Sequence, residues 1–265
     1  MNDPALSVAV RAARNAAAVI EDAARDLKRL PAFSKEHADI VAATAAEAES
    51  AIGATLSGAF PEHAILGGDG RVKDARNEGA TYRWIVDPLD GATNFARGYP
   101  YYSVSLALAH GAELTHAVVL DPVRNELFTA IKDHGAQLNG VPARVSSCTA
   151  LEHALVGTVF PSRGNMKLTG YLPIFNTLIT RCAGMRRGGA CALDMAYVAV
   201  GRLDGFWVMS LKSRDVAAGA LLVREAGGML GDFAGGSDFL KNNEVIAAAP
   251  GVFSPLRQAI AGARP

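Results

Sequence analysis

The sequence has few cysteines, no excess of charge of either sign and no long apolar run. Its three cysteines, Cys148, Cys182 and Cys191, are odd in number and show no C-x-x-C spacing. This pattern argues against a disulfide framework or a thiolate metal site, and each cysteine is expected to act as a small buried hydrophobe. Reduced thiols are typical of the cytoplasm, which is therefore the predicted location.

The charges balance, because Lys+Arg and Asp+Glu both number 26 in the 265 residues. No overall electrostatic attraction to nucleic acid or to an anionic membrane is indicated, so a partner of that kind would need a local patch. The apolar runs are interrupted by charges or glycines well before the length of a membrane span. The start of the chain carries acids and no apolar core of a signal peptide, so none is expected.

Hydrophobic spacing predicts helices at both ends of the chain and a strand-rich centre. The predicted helices cover Pro4–Leu27, His37–Ala59, Met166–Thr180, Ala192–Val200, Asp215–Ala226 and Phe253–Ala261. The predicted strands cover Ala64–Gly67, Trp84–Val86, Tyr102–His110, Leu114–Asp121, Glu126–Lys132, Ala136–Leu138, Ala154–Thr158, Gly184–Arg187, Gly205–Met209, Met229–Asp232 and Val245–Ala248. We expect an antiparallel α+β half over residues 1–145 and an α/β half over 146–265, joined as one unit.

An acidic turn follows the apolar strand that ends at Val86. Pro88 disfavours helix at the preceding residue and removes a hydrogen-bond donor, so the strand is expected to stop at Asp87. The bend would bring Asp87 and Asp90 together with the Leu89 carbonyl, an oxygen set that suits Mg²⁺. Gly91 would allow close backbone approach and open a short helix whose N–H groups suit a phosphate. The alternative is a turn with two solvated aspartates.

A third carboxylate, Asp215, stands at the predicted start of a helix. Helix capping alone explains an aspartate there, since a carboxylate accepts free N–H groups and faces the positive end of the helix dipole. A role in a metal site is the other interpretation.

Two segments together resemble the signatures of the inositol monophosphatase family, and three others, Asp121–Phe128, Gly135–Gly140 and Leu193–Tyr197, resemble its bacterial extragenic-suppressor branch. Trp84–Phe95 is similar to D-P-[LI]-D-G-T-x-N-F, and Asp215–Gly228 is similar to W-D-x-A-A-G…E-A-G-G. The resemblance covers nearly the whole chain. It implies a layered α-β-α-β-α sandwich, a homodimer and a Mg²⁺-dependent, Li⁺-sensitive phosphomonoesterase acting on an inositol or sugar phosphate.

The resemblance also implies roles for individual residues. Metal would be held by Asp87, the Leu89 carbonyl, Asp90 and Asp215, of which the three aspartates would be catalytic. Phosphate and substrate would be bound by Gly91, Ala92, Thr93, Gly189, Ala190 and Arg214.

The chain departs from the family pattern at the site itself. Gly68 stands where the family has a metal-binding glutamate, and Asp69 is the candidate substitute metal ligand, although it follows one position late and has a shorter reach. Ala92 and Ala45 replace a threonine and an aspartate that help to activate water. Val208 replaces a glutamate that contacts sugar hydroxyls, and Ala190 replaces a hydroxyl residue. General-base help is typically worth ~10²–10⁴-fold in rate, so these losses predict a weakened enzyme holding at most one divalent ion well.

Three functions therefore remain open. The first is a slow Mg²⁺-dependent phosphatase, and the second is a member of the family whose pocket serves another ligand or reaction. The third is a non-enzymatic interaction protein, since bacterial relatives of this type are associated with the transcription machinery. Arg214, where the family has tryptophan, is hypothesised to turn inward and replace part of the missing metal charge, with the help of Lys212. The alternative is that Arg214 points to solvent.

Overall fold

The computed structural model describes residues 3–27, 34–67, 79–161, 168–210 and 212–263. The helices are α1 Pro4–Leu27, α2 Lys35–Ala59, α3 Ala92–Phe95, α4 Leu168–Ile179, α5 Cys191–Ala199, α6 Ser213–Glu225, α7 Phe239–Asn242 and α8 Pro250–Gly262. The strands are β1 Ala64–Leu66, β2 Tyr82–Asp90, β3 Ser103–His110, β4 Glu113–Asp121, β5 Glu126–Ile131, β6 Gly135–Leu138, β7 Val141–Ala143, β8 Leu155–Thr158, β9 Gly184–Arg186, β10 Gly205–Met209, β11 Met229–Gly231 and β12 Glu244–Ala248.

The first two helices form an outer layer on one face of the first sheet. Helix α1 packs against α2 and β4, and α2 packs against β2. The buried stripe of α1 is made mostly of alanines, which allows close approach between the two helices. Helix α2 begins after Ser34, whose hydroxyl oxygen accepts a hydrogen bond from the His37 N–H at 3.0 Å.

The first sheet has seven strands in the order β1-β2-β3-β4-β5-β6-β7. Strand β1 runs parallel to β2, and every later neighbour is antiparallel, as the short turns between strands require. Asn125 and Asn139 adopt positive φ in two of these turns, a conformation that asparagine tolerates. The predicted antiparallel meander is therefore observed, with the short strand β7 added at its end.

Strand β2 is longer than predicted and passes through Pro88. Its register on β3 shifts between Asp87, opposite Ser105, and Asp90, opposite Ser103. Pro88 and Leu89 thus face one residue of β3, which is a β-bulge. The expectation that the strand stops at Asp87 was wrong, because a bulge leaves one residue unpaired and can accommodate a proline without a broken ladder bond.

The second sheet has five strands in the order β11-β12-β10-β8-β9 and is mixed. Strand β8 is parallel to β9 and β10, whereas β12 is antiparallel to β10 and β11. Helices α5 and α6 contact strands of both sheets, and α4 and α8 pack together beyond the second sheet. The layers therefore run α-β-α-β-α, as the resemblance to the family implied.

Some predicted segments lie outside the described residues. These are residues 68–69, where the family's metal-binding glutamate would lie, and residues 166–167 at the start of the predicted helix that is described as α4. Helix α7 and a 3-10 turn at Leu151–His153 were not predicted, since both are too short to show a periodic pattern. The division at residue 145 stays a prediction. Within the described chain, no helix is both long and apolar enough to span a membrane.

We predict opposite effects of alanine at two helical glycines. A Cβ at Gly219 in α6 would lie 2.5 Å from the Met195 Cβ in α5, so Gly219→Ala should destabilise the fold by ~1–3 kcal/mol. A Cβ at Gly53 in α2 meets nothing within 4 Å, so Gly53→Ala should stabilise it by roughly 0.5–1 kcal/mol. Urea unfolding measures both, and a shift of the same sign in the two variants would contradict this account of the α5–α6 packing.

Candidate functional site

Asp90, at the end of β2, is held by the first turn of helix α5. Its Oδ1 accepts the Cys191 N–H at 3.2 Å, and its Oδ2 accepts the Ala192 N–H at 2.9 Å. The Ser103 hydroxyl approaches Oδ2 at 3.4 Å. The residue before α5, Ala190, has no side-chain acceptor, so Asp90 caps this helix from a distant part of the sequence.

The buried position of Asp90 destabilises the ionised form of its carboxyl group. Burial raises the pKa of this carboxyl well above its usual range, and the nearby charge of Asp87 raises it further. The hydrogen bond from Ala192 acts in the opposite direction. Both oxygens are thus directed to protein donors rather than to open space.

Asp87 lies at the bulge of β2, with 13 % of its side chain exposed. Its Oδ1 accepts the Leu89 N–H at 3.3 Å. Burial raises the pKa of Asp87 to about 6. The positive charge of Arg214 lowers this pKa, whereas the negative charges of Asp215 and Glu49 raise it. Sequence reasoning missed Glu49, although it lies one helical turn after Ala45 on α2 and so shares its face.

Asp215 lies in the first turn of α6, and its Oδ2 accepts the Lys212 N–H at 2.7 Å. The capping interpretation is therefore observed. The same carboxylate lies near the acidic turn, since the Arg214 Nε is within 4 Å of both Asp215 and Asp87. Its negative charge raises the pKa values of Asp87 and Asp90. The structure thus brings the three predicted acids into electrostatic contact.

Arg214 turns inward between two of these acids. Its Nε lies 3.6 Å from Asp215 Oδ1 and 3.9 Å from Asp87 Oδ2, and 22 % of the side chain is exposed. The contacts are ion pairs rather than hydrogen bonds. Among the described residues, the buried Nε and Nη1 atoms of Arg214 have no hydrogen-bond partner.

These residues do not fit the divalent metal that the resemblance implies. No group of three or more His, Cys, Asp or Glu residues in the described ranges is arranged to hold a metal ion. Each oxygen of Asp90 accepts a hydrogen bond from an α5 amide, and a permanent cation that competes with a metal ion stands beside Asp87 and Asp215. Asp69 and Gly68 lie outside the described residues.

The predicted phosphate and substrate residues surround the start of α3. Gly91 has φ +87°, and a Cβ there would lie 3.0 Å from the Tyr101 carbonyl oxygen and 3.2 Å from the Ala190 Cβ. This position therefore requires glycine. Ala190 is fully buried against the turn, while Ala92 and Thr93 are exposed.

Gly189 lies beside Asn94, whose side chain also supports the acidic turn. Its φ is +92°, and a Cβ there would lie 3.1 Å from Asn94 Nδ2. That nitrogen donates to the Tyr101 carbonyl at 2.7 Å and to the Gly188 carbonyl at 2.9 Å. Asn94 thus ties the loop before α5 to the acidic turn.

Two positions where the family has polar groups are apolar in this fold. Val208 is 4 % exposed in β10, opposite Val245 of β12, and belongs to the core that includes α5 and α6. Ala45 packs partly buried against the core under α1 and α2. Neither side chain can accept or donate a hydrogen bond.

Sequence reasoning also missed a buried polar pair. The Tyr101 hydroxyl donates to Asp194 Oδ1 at 2.5 Å, and Asp194 is 1 % exposed. Its Oδ2 has no hydrogen-bond partner within the described part of the chain. Burial raises the pKa of Asp194 to about 7, although the Tyr101 bond and the charge of Arg187 lower it. Asp194 lines a cavity of about 280 Å³ next to the site.

Residues 1–263 match the inositol monophosphatase family. A relative from Pseudomonas aeruginosa, Nus factor SuhB, is 47% identical over 258 residues, which cover 96% of this chain and 94% of that protein.

Two solved structures have the same fold. The extragenic suppressor protein suhB from Bartonella henselae aligns with a TM-score of 0.88 at 34% identity, over 97% of this chain and 98% of that one. Inositol monophosphatase from Anabaena aligns with a TM-score of 0.84 at 29% identity, over 98% and 96%.

We predict that Asp194 makes the fold less stable as the pH rises. Its pKa is raised from 3.8 to about 7, so the folded state binds more protons than the unfolded state between these values. Between pH 5 and pH 8 this group should cost roughly 2–3 kcal/mol of unfolding free energy. Asp194→Asn keeps an acceptor for Tyr101 and should remove that loss, as measured by urea unfolding at both pH values.

Asp232 provides the matched control. Burial raises its pKa, but hydrogen bonds from the Gly236 N–H and the Asn242 amide outweigh burial and leave the value lowered. Its contribution is present above the unfolded pKa and lost as the pH falls, so Asp232→Asn should destabilise the protein at pH 8. Equal pH slopes for the parent and Asp194→Asn would refute the assignment.

Proposed function

The chain belongs to the inositol monophosphatase family, and within that family we propose that it acts as a Nus factor associated with the transcription machinery rather than as an efficient Mg²⁺-dependent phosphatase. The observation that carries this proposal is the position of Arg214, whose guanidinium stands between Asp87 and Asp215. A permanently charged side chain there competes with any cation for the same carboxylates.

The rest of the site supports the same conclusion. Catalysis of ester hydrolysis at neutral pH needs a group that takes a proton from water, and Ala45 and Ala92 provide none. Binding of a polyol needs polar partners for its hydroxyl groups, and Val208 presents hydrocarbon in their place. The chain can keep its fold with these residues, since each fits its surroundings.

The relatives support the transcription role. The Pseudomonas aeruginosa protein that shares 47% identity is named a Nus factor, as is an Escherichia coli relative with 40% identity. The similarity to both relatives extends over more than nine-tenths of the chain. A binding role requires the fold but not the catalytic groups of the pocket, and this chain keeps the fold and lacks those groups.

A second candidate is a slow phosphomonoesterase acting on an inositol or sugar phosphate with Mg²⁺. The retention of Asp87, Asp90 and Asp215 around one point favours it. A homodimer and a cytoplasmic location are further proposals, of which the first rests on family membership and the second on the three unpaired cysteines.

We predict that the chain binds transcription complexes through surfaces that do not depend on the acids. Purified elongation complexes from a bacterium that carries this protein should shift in native gels when the full chain is added. Asp215→Asn should shift them equally, because the carboxylate faces the pocket. A folded chain that produces no shift would contradict the Nus-factor role.

We further predict that phosphatase activity returns when family residues are restored together. In an Arg214→Trp background, which removes the competing cation, the combination of Ala45→Asp, Gly68→Glu and Ala92→Thr should exceed the parent in turnover of inositol monophosphate with Mg²⁺. Each single variant should gain little, because groups that act as a unit are not additive. A parent that already turns over this ester at ~1–10³ s⁻¹ would favour the second candidate instead.

A further inference from the structure

We propose that Arg214 is a built-in cation that joins the β2 turn to the start of helix α6, so that the site is organised without a divalent metal ion. This inference rests on one part of the proposed function, the lack of a tight Mg²⁺ site. It does not depend on the transcription role.

The two acids that Arg214 joins come from different parts of the fold. Asp87 belongs to strand β2 of the first sheet, and Asp215 belongs to a helix packed between the two sheets. The Arg214 Nε lies within 4 Å of both. One positive charge therefore offsets the repulsion between two carboxylates that the chain folding brings together.

Opposite charge accounts for the position of the partly buried guanidinium. The Nε and Nη1 atoms are removed from solvent and have no hydrogen-bond partner among the described residues. An arginine that loses water without gaining hydrogen bonds would extend to the surface unless opposite charges offset that loss. Asp87 and Asp215 are those charges.

Lys212 does not share this role in the described contacts. Its residue is exposed, and its backbone N–H rather than its ammonium group meets Asp215. The hypothesis that Lys212 helps to replace the metal charge therefore gains no support from this geometry, and the role falls to Arg214.

The inference predicts that Mg²⁺ can replace the guanidinium once it is removed. Arg214→Met keeps a flexible apolar stem but leaves Asp87 and Asp215 without a cation. Its melting temperature should fall in EDTA and recover on addition of Mg²⁺, and calorimetry should show Mg²⁺ affinity raised roughly tenfold or more over the parent. Arg214→Lys retains the charge, so its melting temperature should not respond to Mg²⁺, like that of the parent.

A double-mutant cycle separates the charge effect from lost packing. Asp215→Asn should restore much of the melting temperature that Arg214→Met loses, because one of the unpaired carboxylates is then gone. Additive effects of the two substitutions would overturn the inference, as would a parent whose melting temperature rises with Mg²⁺. A chain that passes both tests but fails to bind elongation complexes would refute the Nus-factor role alone.

Discussion

The site is governed by the repulsion among carboxylates that the fold brings together. Asp87 and Asp90 lie on the bulged end of β2, and Asp215 faces them from α6. Partial burial keeps water from screening these charges, so some other group must offset them. In this chain the protein itself supplies the compensation, through a guanidinium for two of the acids and helix amides for the third.

That arrangement gives the acids a structural role. Asp90 connects the first sheet to α5 through its hydrogen bond with the Ala192 N–H. The ion pair between Asp87 and Arg214 connects the same sheet to α6. Both helices lie between the two sheets. The polar groups that the family has at the positions of Ala45, Ala92 and Val208 are absent from this chain, and their absence leaves these connections intact. A pocket of this kind can lose chemistry without loss of fold, which is compatible with a protein that works through its surface.

Much of the fold and part of the site could be predicted from the sequence. Regular elements have periodic patterns, and the acids at 87, 90 and 215 stand in strongly patterned segments. The bulge through Pro88 could not be predicted, because local rules alone place a strand end there while the pairing with β3 decides otherwise. The Tyr101–Asp194 bond joins residues 93 apart, and only the tertiary fold brings them together. Glu49 could have been identified from the sequence, because it lies four residues after Ala45 and therefore on the same face of the helix.

A crystal structure of the unmodified protein grown with Mn²⁺ tests the central claim most directly. Anomalous scattering locates this ion without reference to the protein atoms. We predict no anomalous peak among Asp87, Asp90 and Asp215, with the Arg214 guanidinium in density between Asp87 and Asp215. A Mn²⁺ ion bound by these carboxylates, with Arg214 displaced into solvent, would contradict the account.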